Sequence, residues 1–354
     1  MKITKKQYNE LMGKMNELES RLNGGYSTPT LKERAQRTID NIDTILNGGK
    51  GSGNFGHAGR PGKVGGSSKE GGGFGSAENR RRGEARYKNQ NVAHREMSYV
   101  MRAAHKGQTV SLADVENEPS IQEAFKRAEF DKDTLEEHKG DKKREKLQQK
   151  LEDRLLGDTN GSFSGKDRDG EHFDGKVEQG KEAYIVIGRP AGGKSTVFAN
   201  PLSAEHKARI IDSDLVKTWL PEFDDGFGAG RVQNESSLIM ERALKKATDK
   251  GENVIIPKIG GESVATMAKE LKAKGYKVHL KYNEVSEANS VTRALSRFVE
   301  KGRWLDPKYL SSIGDKAERF YKKYSRDKDY FDSAEWLSND VGFGQKPKKI
   351  DKVN

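Results

Sequence analysis

Cysteine is missing from all 354 residues. Its absence removes disulfides, thiolate catalysis and cysteine-based metal sites together. Apolar material is also scarce, at 32% hydrophobic residues against 34% charged ones. A compact domain needs more than that average. The apolar residues must therefore be concentrated in one region, with the rest of the chain extended or disordered. The long aliphatic segments do lie almost entirely between Ala183 and Trp336. No run reaches the length of a membrane span, and the N-terminus lacks the apolar core of a signal peptide. The expectation is a soluble, cytoplasmic protein with no membrane contact. Negative charge is in deficit, with 54 acidic against 65 basic side chains and a formal net charge of +11. Such an excess suits nucleic acid, phosphorylated ligands or anionic surfaces, or merely solvated lysine-rich helices.

What is present is most specific at residues 183–196, Ala-Tyr-Ile-Val-Ile-Gly-Arg-Pro-Ala-Gly-Gly-Lys-Ser-Thr. A short apolar strand runs directly into a phosphate-binding pattern, G-x-x-x-x-G-K-[ST], carried by Gly188, Gly193, Lys194 and Ser195. A triphosphate needs several N–H donors converging on it, and glycines let the backbone curl round the anion without a Cβ in the way. Gly188, Arg189, Pro190, Ala191, Gly192, Gly193, Lys194, Ser195 and Thr196 are thus the expected nucleotide cradle. Lys194 reaches the β/γ-phosphates, the Ser195 hydroxyl ligates Mg²⁺, and the helix that follows aims its positive end at the same anion. ATP or GTP with Mg²⁺ is the expected cofactor.

The pattern along the chain divides it. Residues 3–22 and 30–46 read as two short amphipathic helices within an N-terminal segment, 1–47. Residues 48–76 form a glycine-rich flexible linker, in which His57 has no second ligand nearby. Residues 77–157 are charged and helix-like, with alternating acids and bases from Asp131 to Arg154. They read as an accessory helical domain or as an arm that folds on a partner. A polar linker, 158–182, precedes the compact domain at 183–342, and a basic tail closes the chain at 343–354. Within the compact domain, strands and helices alternate. Strands are expected at 183–187, 208–211, 253–256 and 277–282. Helices are expected after the phosphate loop (cut short at Pro201) and at 215–219, 232–249, 261–274, 286–300 and 307–324. Units of that length predict an α/β fold of the P-loop NTPase type, a parallel sheet flanked by helices.

Three further features narrow the chemistry. The second strand ends in Asp212-Ser-Asp214, which puts two carboxylates at the sheet edge that carries the phosphate loop. One can hold Mg²⁺ or its water shell, and the other can take a proton from an alcohol. Arg297, late in a helix, and Arg303, in the loop opened by Gly302, offer guanidinium groups for charge developing on a transferred phosphoryl. Asn234-Glu235-Ser236-Ser237 and Glu241 lie on the long helix between the second and third strands.

These residues in this order resemble the zeta-toxin kinases. The similarity covers about Ala183 to Tyr324, and also includes Lys-Gly-Glu-Asn-Val-Ile and Lys-Gly-Tyr-Lys-Val. It implies an enzyme that binds ATP–Mg²⁺ and phosphorylates a hydroxyl of a nucleotide sugar such as UDP-N-acetylglucosamine. It implies Asp214 as catalytic base, Lys194 on the phosphates, Ser195 and Asp212 on the metal, and Arg297 and Arg303 as phosphate clamps. Glu241 falls at the substrate-contacting glutamate, with Glu235 as its rival. One departure stands out: after the third strand the family carries Asp/Glu-Gly-Thr, whereas this chain has Pro257-Lys258-Ile259. Residues 51–67 separately resemble a glycine-rich stretch of tailed-phage proteins, which hints at a phage or prophage origin and at association with the virion.

Two other readings stand beside the kinase. A polynucleotide or nucleoside kinase fits the phosphate loop and the basic charge, although nucleic acid is the less favoured partner. A phage structural or host-interaction protein carrying a degenerate kinase domain fits the linker and the charged helices. Residues 1–182 are the expected docking region for an antitoxin or a phage structural partner.

Overall fold

The computed structural model describes residues 103–104, 106–157, 162–164, 173–342 and 345–350. The helices expected at 3–22 and 30–46 and the linker at 48–76 lie outside the described residues. Helices among the described residues include, in chain order, α1 (Leu112–Val115), α2 (Pro119–Arg127), α3 (Thr134–Glu137) and α4 (Lys142–Leu156). Strands β1 (Ser162–Ser164) and β2 (Asp174–Lys176) form a small antiparallel ribbon. The main domain continues with β3 (Glu182–Gly188), α5 (Asn200–His206), β4 (Arg209–Ile210), α6 (Ser213–Lys217) and α7 (Gln233–Asp249). It ends with β5 (Val254–Lys258), α8 (Glu262–Ala273), β6 (Lys277–Glu284), α9 (Glu287–Lys301), α10 (Pro307–Ser312), α11 (Lys316–Tyr324), β7 (Ser333–Ser338) and β8 (Lys348–Lys349).

The sheet order is β4-β5-β3-β6-β7-β8. Neighbours from β4 to β7 pair in parallel, and β8 runs antiparallel to β7. The fold is a mixed α/β one, with a mostly parallel sheet between helices. β3 is central, and from Ala183 to Gly188 every residue is buried. A strand covered on both faces needs an unbroken apolar run, which Ala-Tyr-Ile-Val-Ile provides. Side chains alternate between two cores. Ile185 and Ile187 join Ile256, Trp219, Met240 and Leu271 on one face. Tyr184 and Val186 join Ile210, Ile255, Phe198 and Leu202 on the other. After β3 the chain goes to one flank (β4, then β5) and later crosses to the other at β6. The crevice where that order reverses, at the carboxyl ends of the strands, is where such folds bind ligands.

The helices depart from expectation in two places. Pro201 does not end its helix. Residues Ser195–Ala199 form a wide π turn that leads directly into α5. The wide turn places Pro201 in the first turn of α5, where its missing N–H is tolerated. The stretch 307–324 is two helices rather than one, divided by Gly314 in the left-handed region at φ 57°.

Residues 106–156 pack against the domain. Val110, Val115, Ile121 and Ala124 share an apolar cluster with Phe227, Leu295, Phe298, Trp304 and Leu310. Leu151 and Leu155 of α4 enter the larger core under the sheet. Between them runs a polar seam centred on Arg144. Its guanidinium donates to both oxygens of Glu222 (2.8 and 2.9 Å) and both of Glu235 (2.7 and 2.6 Å).

Candidate active site

The phosphate loop leaves β3 at Gly188 and closes into the π turn at Ser195. Two of its glycines are required by geometry. Gly188 has φ 146°, and a Cβ there would stand 2.3 Å from the Asn283 carbonyl oxygen. Gly193 has φ 85°, and a Cβ would meet the Asn339 amide at 2.7 Å. A left-handed Ala191 (φ 54°) lies between them. The loop is held from beneath. The Gly192 carbonyl accepts from Asn339 Nδ2 (2.7 Å), Asn283 Nδ2 (2.9 Å) and Arg293 Nη1 (3.2 Å). Ser290 donates its hydroxyl to the Pro190 carbonyl at 2.8 Å. Arg189 donates outward to the carbonyls of Leu310 (2.7 Å) and Gly314, so its guanidinium braces α10. These bonds take up the Pro190 and Gly192 carbonyls and fix the shape of the loop.

Lys194 lies across the mouth of the loop. Its Nζ donates to the carbonyls of Gly188 and Arg189, both at 2.9 Å. Desolvation in the cleft pushes this ammonium down, and the charges of Asp214 and Asp212 oppose that. Asp212 caps α6, its Oδ1 accepting from the Asp214 N–H at 3.0 Å. Asp214 keeps 61% of its side chain exposed and pairs with Lys217 at 2.9 Å. Desolvation pushes its carboxyl up. Lys217, Lys194 and Arg303 together outweigh that and hold it below the ordinary carboxylate range. An aspartate in that state is ionised at neutral pH and able to accept a proton.

Arg303 therefore belongs to the same charge cluster as Asp214. Its guanidinium lies 5.9 Å from the Phe223 ring centre, and its neighbour Trp304 donates its N–H to the Asp225 carbonyl at 2.9 Å. Arg297 is half-buried on α9, one turn beyond Arg293 and on the same face. Glu241 is exposed on α7, and its charge acts on Lys258 at the end of β5. Glu235 occupies a different place. It is fully buried, and its carboxylate accepts four hydrogen bonds, from Arg144 (two), Thr134 and Gln148. That carboxylate ties α7 to α3 and α4 and does not face the cleft.

The structure adds side chains that the sequence does not single out. Asn283 is signalled only as a polar residue ending an apolar strand, and Arg293 only by lying one turn before Arg297. Asn339 has no local signal. Lys217 and Tyr309 also stand near Asp214, the tyrosine pushed up by desolvation and by that carboxylate. Among the described residues, no three His, Asp or Glu side chains cluster as a metal site. No described helix is long and apolar enough to cross a membrane.

No curated protein sequence matches the chain. Solved structures similar to it share little sequence. The PezAT chromosomal toxin–antitoxin system of the human pathogen Streptococcus pneumoniae is 15% identical, over 62% of this chain and 82% of that one, with a TM-score of 0.38. The AvrRxo1-ORF1:AvrRxo1-ORF2 complex with sulphate ions is 16% identical, over 59% and 67%, with a TM-score of 0.43. The same pair with ATP is 17% identical, over 58% and 66%, also at 0.43. The family described as Zeta toxin matches residues 171–328, which hold the phosphate loop, Asp212, Asp214, Arg297 and Arg303 but less than half of the chain. Residues 171–328 are a Zeta toxin family domain within a longer chain.

Proposed function

We propose that this chain is an ATP-dependent phosphotransferase that phosphorylates a hydroxyl of a nucleotide sugar such as UDP-N-acetylglucosamine. The observation that carries the reading is the shared cleft: a phosphate loop already shaped for an anion, bridged by Lys194, beside an ionised Asp214. The loop N–H groups and Lys194 bind the β/γ-phosphates of ATP or GTP. Asp214 accepts the proton of the acceptor hydroxyl as its oxygen attacks the γ-phosphorus. The γ-phosphoryl moves to that oxygen, and the nucleoside diphosphate leaves with the bridging electrons. Arg303, with Arg297, neutralises charge on the equatorial oxygens.

When bound, Mg²⁺ would supply positive charge to the phosphates. Ser195 and Asp212 would hold it. The donor set fits, because Mg²⁺ in such sites takes one or two protein ligands and fills the rest with phosphate and water. Glu241, on the open face of α7, contacts the acceptor. An antitoxin-type partner acting through residues 1–182 belongs to the same reading, although residues 106–156 of that span are already packed on the domain.

The test is label transfer from γ-labelled ATP by the full-length protein. UDP-N-acetylglucosamine and 5′-hydroxyl oligonucleotides are compared as acceptors. Label on the nucleotide sugar, abolished by Asp214→Asn with ATP binding retained, is the expected result. Transfer to oligonucleotides alone, or no transfer to any acceptor, rejects it.

A further inference from the structure

Lys258 occupies a position that the phosphate-loop chemistry does not use. Side chains along β5 alternate between the two cores. Val254 and Ile256 pack with α7 and α8, and Ile255 packs with Phe198 behind the phosphate loop. Lys258 follows Ile256 by two, so it leaves the sheet on the α7 face and not on the α5 face. Its partner across the parallel ladder is Ile187, the residue before the loop begins. The side chain is half-buried at the carboxyl edge of the sheet.

Charges surround it from two elements: Asp212, Asp214 and Lys217 from the β4–α6 corner, and Glu241 from α7. The other cations of the cleft are committed. Lys217 pairs with Asp214 at 2.9 Å. Lys194 bridges the mouth of the loop on the donor side. Arg303 stands over Phe223 and acts on Asp214. Among the described residues, Lys258 has no comparable hydrogen bond or close ion pair. A desolvated ammonium with acids near it, yet bonded to none of them, is positioned to receive an anion that arrives with a ligand.

We infer that Lys258 binds the anionic group that the acceptor carries beside its reactive hydroxyl. This rests on the phosphotransferase reading, with donor phosphates at the loop and acceptor on the α7 side. The shared chemistry is a phosphate or a carboxylate within reach of one lysine side chain from Asp214. Glu241, on the same face, then meets the neutral, hydroxyl-bearing part of the acceptor.

Calorimetry tests this on the full-length protein loaded with Mg²⁺ and the non-hydrolysable ATP analogue AMP-PNP. The titrants are UDP-N-acetylglucosamine (phosphate), gluconate (carboxylate) and N-acetylglucosamine (neutral). At least one anionic titrant is expected to bind about tenfold or more tighter than the neutral sugar, and which of the two binds identifies the anion. Lys258→Met should weaken that titrant by about ten- to hundredfold, the range of one charge-assisted hydrogen bond. AMP-PNP affinity should stay within about twofold, and Lys258→Arg should restore most of the acceptor affinity. Two outcomes overturn the inference while leaving the kinase reading intact: Lys258→Met leaving the affinity for the anionic titrant unchanged, or weakening AMP-PNP as much as the acceptor. Failure of the unmodified protein to take up AMP-PNP overturns both.

Discussion

The phosphate-loop edge and the Arg144 seam are both built from charged and polar side chains, and they use them in opposite ways. At the loop, charged groups stay within reach of a ligand: Asp214 is paired with Lys217 yet 61% exposed, and Lys194 donates to two backbone carbonyls and, among the described residues, to no carboxylate. At the seam nothing is left over. Arg144 and Glu235 are 7% and 0% exposed, and their hydrogen bonds are made within the protein. Unspent charge marks a place for a ligand, and spent charge marks a joint between parts of the chain. Glu235 shows the value of the distinction. Its type and position on α7 suit a substrate contact as well as Glu241 does, and only its four hydrogen bonds reveal what it does.

The contrast breaks if the two regions respond alike to mutation. The largest effect should come from Arg303→Ala. Its kcat is expected to fall by about a thousandfold or more, as for other arginines that stabilise a transferring phosphoryl, with Tm unchanged. Steady-state label transfer and thermal melting measure the two halves of that statement. Arg144→Ala should do the reverse. Removing one partner of a buried ion pair costs about 3–5 kcal/mol, which urea unfolding reads directly, while the AMP-PNP affinity of the folded fraction holds. A chain starting at residue 157 should fare worse, since it strands the Glu235 carboxylate and uncovers Phe227, Phe298 and Trp304. Soluble, nucleotide-binding protein from that truncation would show that the seam is dispensable.

Acid sharpens the same comparison. Burial pushes the Glu235 and Glu222 carboxyls up, and hydrogen bonds led by Arg144 outweigh it, so both are held below the ordinary value in the folded protein. A group lowered on folding stabilises above its unfolded value, about 4.3 for glutamate, and that stability is lost as pH falls through the folded value. The urea midpoint should be steady from pH 7 to about 5 and should drop below about 4.3. Glu235→Gln should flatten that drop. The smallest effect should come from Asn339→Ala, which removes one of three donors to the Gly192 carbonyl. A loss of about 1 kcal/mol in AMP-PNP binding is the scale of one hydrogen bond, read by calorimetry with fold and Tm preserved.

What could be read from the sequence follows the same division. β3 and its loop were legible because a strand buried on both faces must be apolar throughout and a phosphate cradle must carry glycine where Gly188 and Gly193 stand. The helices α7, α8 and α9 were legible within a residue or two, since Gly251, Gly275 and Gly302 end them in the left-handed region. β7 is not legible in the sequence, because Ser-Ala-Glu-Trp-Leu-Ser is only partly buried near the sheet edge and has no apolar run. The seam was invisible for a different reason. Arg144 and Glu235 are 91 positions apart, and each alone looks like one more charge on a solvated helix. Asp214 is placed beside the phosphate loop by its strand end, and Arg303 is assigned to the same chemistry by its charge and its loop and by the resemblance to zeta-toxin kinases. Nothing in their spacing announces that they share a cleft.

The three donors beneath Gly192 have a consequence for how the protein is made. Two come from β6 and α9, but Asn339 follows the last parallel strand, nearly 150 positions after the carbonyl it grips. A ribosome therefore delivers the loop early and its support late. During translation the cradle stays without its last brace until Asn339 has been made.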